Sequence, residues 1–151
     1  MMEMTLIIIK PDGVKRGLVG EVISRFEKRG LRIAALKMTC LSEDRARQLY
    51  APHVGKKFYQ GLIDFMTSGP VVAAALQGES AIQIVRNMMG ALKPEEAMPG
   101  SIRGDYSMDV MHNLIHGSDS RENAIRELAV LFDDSEFLEY RTCDEEVIYS
   151  G

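Results

Sequence analysis

The stretch Thr5-Leu6-Ile7-Ile8-Ile9-Lys10-Pro11-Asp12-Gly13 runs from a β-branched apolar segment straight into a lysine, a proline, an aspartate and a glycine. Residues 5–9 read as a buried strand, since branched side chains suit a pleated sheet and no charge interrupts the run. Lys10 to Gly13 read as the strand-ending turn, with Lys10 at the strand's tip. Beyond it, Val19, Val22, Ile23 and Phe26 recur at helical spacing and Gly30 stands at a C-cap, which predicts a helix from Val19 to Arg29.

Leu31 to Met38 follow as a second strand. Ser42 is placed to cap a helix toward Tyr50, and a further helical segment covers Phe58 to Met66 before Ser68-Gly69-Pro70 breaks the chain. Val71 to Leu76 read as a third strand, and Ser80 as the cap of a helix through Ile82, Val85 and Met89 that stops at Gly90. A long loop containing Pro94, Pro99, Gly100 and Gly104 then runs to about Asp105, and loops of that length inside a domain are usually functional or disordered. Asn113 to His116 read as a fourth strand, followed by a helix carrying Ala124, Ile125, Leu128 and Phe132. The pattern is β-α-β-(helices)-β-α-β-α, without an internal repeat.

With 151 residues, 46% hydrophobic and 26% charged, residues 1–151 are expected to form a single domain with a real core. The apolar runs are strand-sized and the start of the chain lacks a signal-peptide pattern, so a cytoplasmic protein with no membrane partner is expected. Cys40 and Cys143 show no metal-ligand spacing and read as free thiols. A net charge of −4 argues against a broad nucleic-acid-binding face, while a local cluster of Lys and Arg remains free to bind a small polyanion.

Asn113-Leu114-Ile115-His116-Gly117-Ser118-Asp119 places one of three histidines between apolar residues and a helix start, where Asp119 and Glu122 are spaced like a variant capping box. Such a histidine is either a core side chain beside an ordinary N-cap or a nucleophile, because imidazole near neutral pH carries a lone pair without a separate base. Lys10, Arg86 and Arg103 are each a solvated charge or, together, the cations that phosphoryl transfer requires. Tyr50 and Phe58, near Lys56 and Lys57, suit core packing or an aromatic face for a nucleobase equally well.

Some arrangements are missing. There is neither a Gly-x4-Gly-Lys-Ser/Thr loop nor a Gly-x-Gly-x-x-Gly, so a nucleotide must be held in another way. His116, Ser118 and Asp119 are too crowded in sequence for a hydrolase triad, and His112 with His116 lacks a third metal ligand.

The blocks Lys10-Pro11-Asp12-Gly13-Val14 with Arg16-Gly17-Leu18-Val19-Gly20, Ser68-Gly69-Pro70-Val71-Val72, Pro99-Gly100-Ser101-Ile102-Arg103-Gly104-Asp105 and Asn113-Leu-Ile-His116-Gly-Ser118-Asp119-Ser120 closely resemble the nucleoside diphosphate kinase family in order and spacing. The resemblance implies an α+β fold, a ferredoxin-like βαββαβ domain with a four-stranded antiparallel sheet covered by helices. It also implies an enzyme that passes the terminal phosphate of a nucleoside triphosphate to a nucleoside diphosphate. By the same resemblance His116 is the phosphorylated nucleophile, Glu127 orients its ring and Ser118 lies beside them. Arg86 and Arg103 hold phosphate, Lys10 and Asn113 contact the sugar 3′-hydroxyl, Phe58 stacks on the base, Val110 packs on its other face and Tyr50 supports Lys10. Mg²⁺ would arrive on the nucleotide phosphates with no dedicated protein ligands.

Leu92 departs from the pattern, standing where the family usually has a threonine that donates to phosphate. The family also assembles as dimers packed into tetramers or hexamers, and the tail through Val147, Ile148 and Tyr149 favours a homo-hexamer. That tail either docks on a neighbour or folds back on its own subunit. A regulatory module without catalysis and a nucleic-acid-binding protein are the competing functions; the retained His116, Lys10, Arg103 and Glu127 weigh against the first and the acidic balance against the second.

Overall fold

Leu6, Ile7, Ile8 and Ile9 are wholly buried, and alternation sends them in pairs to opposite faces of one sheet, so both faces must be covered. A computed structural model, which describes residues 2–150, shows how this is done. The elements run β1 (Met2–Ile9), α1 (Pro11–Lys15), α2 (Val19–Arg29), β2 (Arg32–Thr39), α3 (Glu43–Leu49), α4 (Tyr59–Met66), β3 (Val71–Glu79), α5 (Ala81–Met89), α6 (Ile102–Tyr106), β4 (Ile115–Gly117), α7 (Arg121–Leu131) and α8 (Glu145–Ile148). The four strands lie in the order β2-β3-β1-β4 with every neighbouring pair antiparallel.

Leu6 and Ile8 pack with Leu49, Ile63, Met66 and Leu131 from α3, α4 and α7. Ile7 and Ile9 pack on the other face with Val22 and Phe26 of α2 and Val85 and Met89 of α5. The central path β1-α2-β2-β3-α5-β4 is the ferredoxin-like βαββαβ arrangement. The α3–α4 pair is inserted between β2 and β3, and with α7 it covers the opposite face.

Local chemistry explains where boundaries differ from sequence expectation. The segment after Lys10 is not a simple turn but helix α1, with Pro11 in the first turn, where its missing N–H costs nothing. β4 begins at Ile115 rather than Asn113, because Leu114 has φ of 75° and cannot continue a ladder. β3 runs on to Glu79, paired along its length with β1. Ser42 caps α3 as expected, and Gly30 ends α2 with φ of 105°.

Ser80 does not cap α5 with its side chain; the Glu3 carboxylate accepts from the Ile82 N–H instead, a cap supplied by β1. The Asp119–Glu122 box gives way to Ser120, whose Oγ accepts from Asn123 N, while Asp119 Oδ1 accepts from the Asn123 amide. The long loop is ordered by a 3-10 turn at Pro94–Glu96 and by α6, which Ser101 caps. The tail returns to its own subunit: Ile148 packs on Gly30 and the Tyr149 hydroxyl accepts from Glu79 N, leaving Val147 exposed. Cys40 and Cys143 are free and exposed. Among the described residues, no helix is long and apolar enough to cross a membrane.

Thr5 is fully buried on the α2–α5 side, and its hydroxyl has no hydrogen-bond partner. Valine has the same outline without the stranded polar group. Thr5→Val should therefore stabilise the protein by about 1 kcal/mol, the lower end of the cost of an unsatisfied buried hydroxyl. A thermal melt should rise by roughly 2–4 °C, and an unchanged or lower midpoint would show that the hydroxyl is satisfied in solution.

Candidate active site

Antiparallel pairing sets His116 opposite Ile8, on the α7 side of the sheet, and turns Ile115 and Gly117 toward α5. Glycine at 117 suits this close approach, because a Cβ there would meet the Met89 sulfur of α5 and force that side chain to move. The approach to β4 is equally constrained. A Cβ on Gly13 would come within 2.8 Å of Ile9 Cγ2 and 3.2 Å of the Leu114 carbonyl, so α1 can pass close beneath the left-handed Leu114 only without one.

His116 Nε2 lies 2.6 Å from Glu127 Oε1, and Ser118 Oγ donates to the same oxygen at 2.9 Å. Glu127 is buried on α7, so its carboxylate meets few competing waters. Facing a carboxylate, Nε2 carries the ring proton, which leaves the lone pair on Nδ1. Tyr50 meets the imidazole edge-on at 5.5 Å and fixes the ring plane from the side.

Cationic groups converge on the same space. Arg103 is buried and donates to the carbonyls of Asn113 at 3.4 Å, Gly90 at 3.2 Å and Ile115 at 2.7 Å, which holds its fork rigid. Burial, with the nearby charge of Arg86, pushes its guanidinium down to about 10. Arg86 on α5 donates to the Gly117 carbonyl at 3.3 Å. Burial, reinforced by Arg103, pushes the Lys10 ammonium down to about 8 against the opposing pull of Asp12.

These groups line a cavity of about 690 Å³, within the size range of small-molecule sites. Every residue to which the family resemblance gave a place in the site is in its wall except Ser118, which donates to Glu127. Phe58, half exposed, and Val110 stand at its apolar end, and Leu92 lies half exposed at its rim. Asn113 is buried with its amide donating to the Val110 carbonyl and its Oδ1 unpartnered. The role expected for Tyr50 is not met by a hydrogen bond: its hydroxyl has no partner, so it does not hold Lys10 that way. Burial, then the charge of Glu127, raises that hydroxyl far above its ordinary range and keeps it a neutral donor.

Sequence reading missed His53, Asn123 and Arg126, which also line the cavity, and took Asp119, another wall residue, for a helix cap. The His53 ring lies tilted against Phe58 with centroids 5.4 Å apart, and its Nδ1 is 3.0 Å from Lys56 Nζ, inside the aromatic and basic stretch that was read only as a whole. Arg126 precedes the carboxylate it pairs with, a spacing that carries no signal on its own.

The family model described as nucleoside diphosphate kinase matches residues 3–137. The nucleoside diphosphate kinase of Staphylothermus marinus is 53% identical over 138 residues, 91% of this chain and 98% of the relative. That of Methanosarcina barkeri is 50% identical over 148 residues, 98% of this chain and 99% of the relative. Among solved structures, a halophilic nucleoside diphosphate kinase from Halobacterium salinarum in complex with CDP has a TM-score of 0.96 at 42% identity, over 99% of this chain and 100% of that one.

The Lys10 ammonium is held at a cost to the ligand-free fold. Unfolded, a lysine keeps its proton to a pH near 10.5, whereas this one releases it near 8, so the unfolded chain binds more protons in between and stability rises with pH across that window. Below pH 8 the full penalty applies, about 3 kcal/mol at 1.36 kcal/mol per pH unit. Lys10→Met should raise the urea midpoint of the ligand-free protein most at pH 7 and least near pH 10.5. A gain that does not shrink with pH would show that the charge is not its source.

Proposed function

This chain belongs to the nucleoside diphosphate kinase family and is a nucleotide phosphotransferase, and we propose that it works by ping-pong exchange with the phosphate carried on His116 Nδ1. One observation carries this reading: the Nε2–Glu127 contact at 2.6 Å directs the free lone pair to Nδ1, inside a cavity lined by Lys10, Arg86 and Arg103. In the first half, Nδ1 attacks the terminal phosphorus of the triphosphate, the bond to the bridging oxygen breaks and a diphosphate leaves. In the second, a terminal oxygen of another diphosphate attacks that phosphorus and the Nδ1–P bond breaks. No proton has to move, so no separate base is needed.

Splitting the exchange lets one cavity serve donor and acceptor in turn. Glu127 stabilises the positive charge that develops on the ring, and Arg86 and Arg103 meet the transferring phosphoryl oxygens. Lys10 and Asn113, whose Oδ1 is unpartnered, take the sugar 3′-hydroxyl, while Phe58 and Val110 hold the base by its faces. Since these contacts read no hydrogen-bonding edge, purine and pyrimidine diphosphates are all substrates, and the exchange maintains both ribo- and deoxyribonucleoside triphosphate pools. The CDP bound in the Halobacterium relative is a ligand of that class.

Among the described residues, no three His, Cys, Asp or Glu side chains cluster to hold a metal. Of the carboxylates in the wall, Glu127 is engaged by His116 and Ser118, and Asp109 by the Met111 and His112 N–H groups. Asp119 is engaged by the Asn123 amide, and with these three carboxylates so occupied the wall fits an Mg²⁺ that would be carried on the nucleotide phosphates. When bound, Mg²⁺ supplies charge neutralisation on the polyphosphate.

Incubation with ATP and Mg²⁺ should place one acid-labile phosphate on His116, found by mass spectrometry, and His116→Ala should lower turnover by about 10⁶, as removal of a catalytic nucleophile does elsewhere. A stable phosphate on Ser118 instead would overturn the assignment.

We further propose that residues 1–151 form one domain that assembles as a homo-hexamer. Leu36 and Met38 are exposed on the sheet's edge strand β2, and Val147 on the tail, apolar surface of the kind that assembly covers. Light scattering at micromolar concentration should return about six chain masses, and a tetramer or a fully active monomer would refute the hexamer.

A further inference from the structure

Glu127 has two carboxylate oxygens, and the reaction as described uses one. Oε1 receives both His116 Nε2 and Ser118 Oγ, while Oε2 faces the guanidinium of Arg126, its neighbour on α7, at 3.5 Å. Arg126 does not hang free. Its Nη1 donates to the Gln48 carbonyl at 2.6 Å and its Nη2 to the Leu49 carbonyl at 3.3 Å, so the fork is fixed to the last turn of α3. That is where a helix presents its negative end and where a cation is favoured. Tyr50 comes directly after Leu49 and lies edge-on against the His116 ring.

From this geometry we propose that Arg126 is a positioning residue for the phosphoryl transfer, holding the Glu127 carboxylate so that Oε1 stays presented to His116 Nε2. One guanidinium spans the two walls that flank the imidazole, Glu127 on α7 and the end of α3 that leads into Tyr50. A carboxylate on a flexible stem turns easily about its last torsion, and no other described contact restrains Oε2 as an ion pair. If Glu127 turns away, Nε2 loses its acceptor, the tautomer is no longer fixed and the lone pair moves between Nδ1 and Nε2. Arg126 touches neither the ring nor the phosphate in this account. It acts through Glu127.

The proposal rests on His116 as the nucleophile, and the experiment keeps the two apart, because absence of phosphate on His116 in the unaltered protein refutes that reading alone. Arg126→Gln should lower kcat by about tenfold, the factor that 1.36 kcal/mol of transition-state stabilisation represents, with KM for the diphosphate unchanged. Nitrogen-15 chemical shifts of His116 should report a single Nε2–H tautomer in the unaltered protein and a mixture in the variant. In a Glu127→Gln background the same change should cost nothing further in kcat. An equal second loss there, or a rise in KM with kcat intact, would overturn the proposal. Arg126→Lys guards against a simple folding defect: it keeps the charge beside Oε2 but loses the fork to Gln48 and Leu49. It should retain most of the activity, and a folded Lys variant as slow as the Gln variant would show that anchoring α3 is all that Arg126 does.

Discussion

The site is organised around Leu114, held in a left-handed conformation that a branched, bulky residue adopts only under constraint. Its N–H donates to Asp12 Oδ2 at 3.0 Å, and its carbonyl accepts from Lys10 N at 2.8 Å. The carbonyls on either side, of Asn113 and Ile115, both accept from Arg103. Polar groups at one peptide and its neighbours are thus tied to the end of β1, to α1 and to α6. The kink lets the chain enter β4 three residues before its end while keeping Asn113 and His116 within reach of the same cavity. Residues that meet the substrate in the proposed mechanism, Lys10 and Arg103, are therefore also the ones that hold the backbone beneath it.

Placing this chemistry in one cavity sets charges against burial. Lys10 and Arg103 are both pushed down by desolvation and by neighbouring cations, so the cations of the site repel one another. An incoming polyphosphate relieves that repulsion, which makes anion binding favourable before any shape-specific contact forms. Glu127 counters on the opposite wall, but its charge is directed at His116 and Ser118.

How much of this was readable from sequence depends on the range of the signal. β1, α2 with its Gly30 cap and α3 with its Ser42 cap follow from periodicity and capping within a dozen residues; α2 and α3 formed where those signals put them, while β1 starts earlier than the apolar run, at Met2, because pairing with β3 extends to Glu79. The cap on α5 was misread because the acceptor is Glu3, distant in sequence and adjacent only through the β1–β3 pairing. His116, Lys10 and Arg103 stood out through motif blocks, yet composition and spacing alone left each with an ordinary structural explanation. Arg126 was invisible, since its partners Gln48 and Leu49 lie on another helix and an exposed-looking arginine beside a glutamate is common. The sign of Tyr50's contribution was also beyond reach, because a ring against His116 and a hydroxyl bonded to Lys10 need the same residue type.

The brevity of β4 connects the fold to the chemistry. β1 pairs with β3 over its whole length but with β4 only through Ile7, Ile8 and Ile9. A strand continuing past Gly117 would have extended the ladder beside Leu6 and Thr5. Because the strand stops at Gly117, the chain turns into α7 at Ser120 and returns Glu127 to the imidazole within three turns of helix. α5 closes against the other face through Gly117 and brings Arg86 to the same opening. His116, Glu127, Arg86 and Arg103 are thus carried by regular elements fixed by the core, Lys10 sits at the joint between β1 and α1, and the apolar end, with Phe58 and Val110, stands outside helices and strands. That division suits the proposed exchange, in which the reacting phosphate is held alike in both half-reactions while bases of different size and edge are accepted.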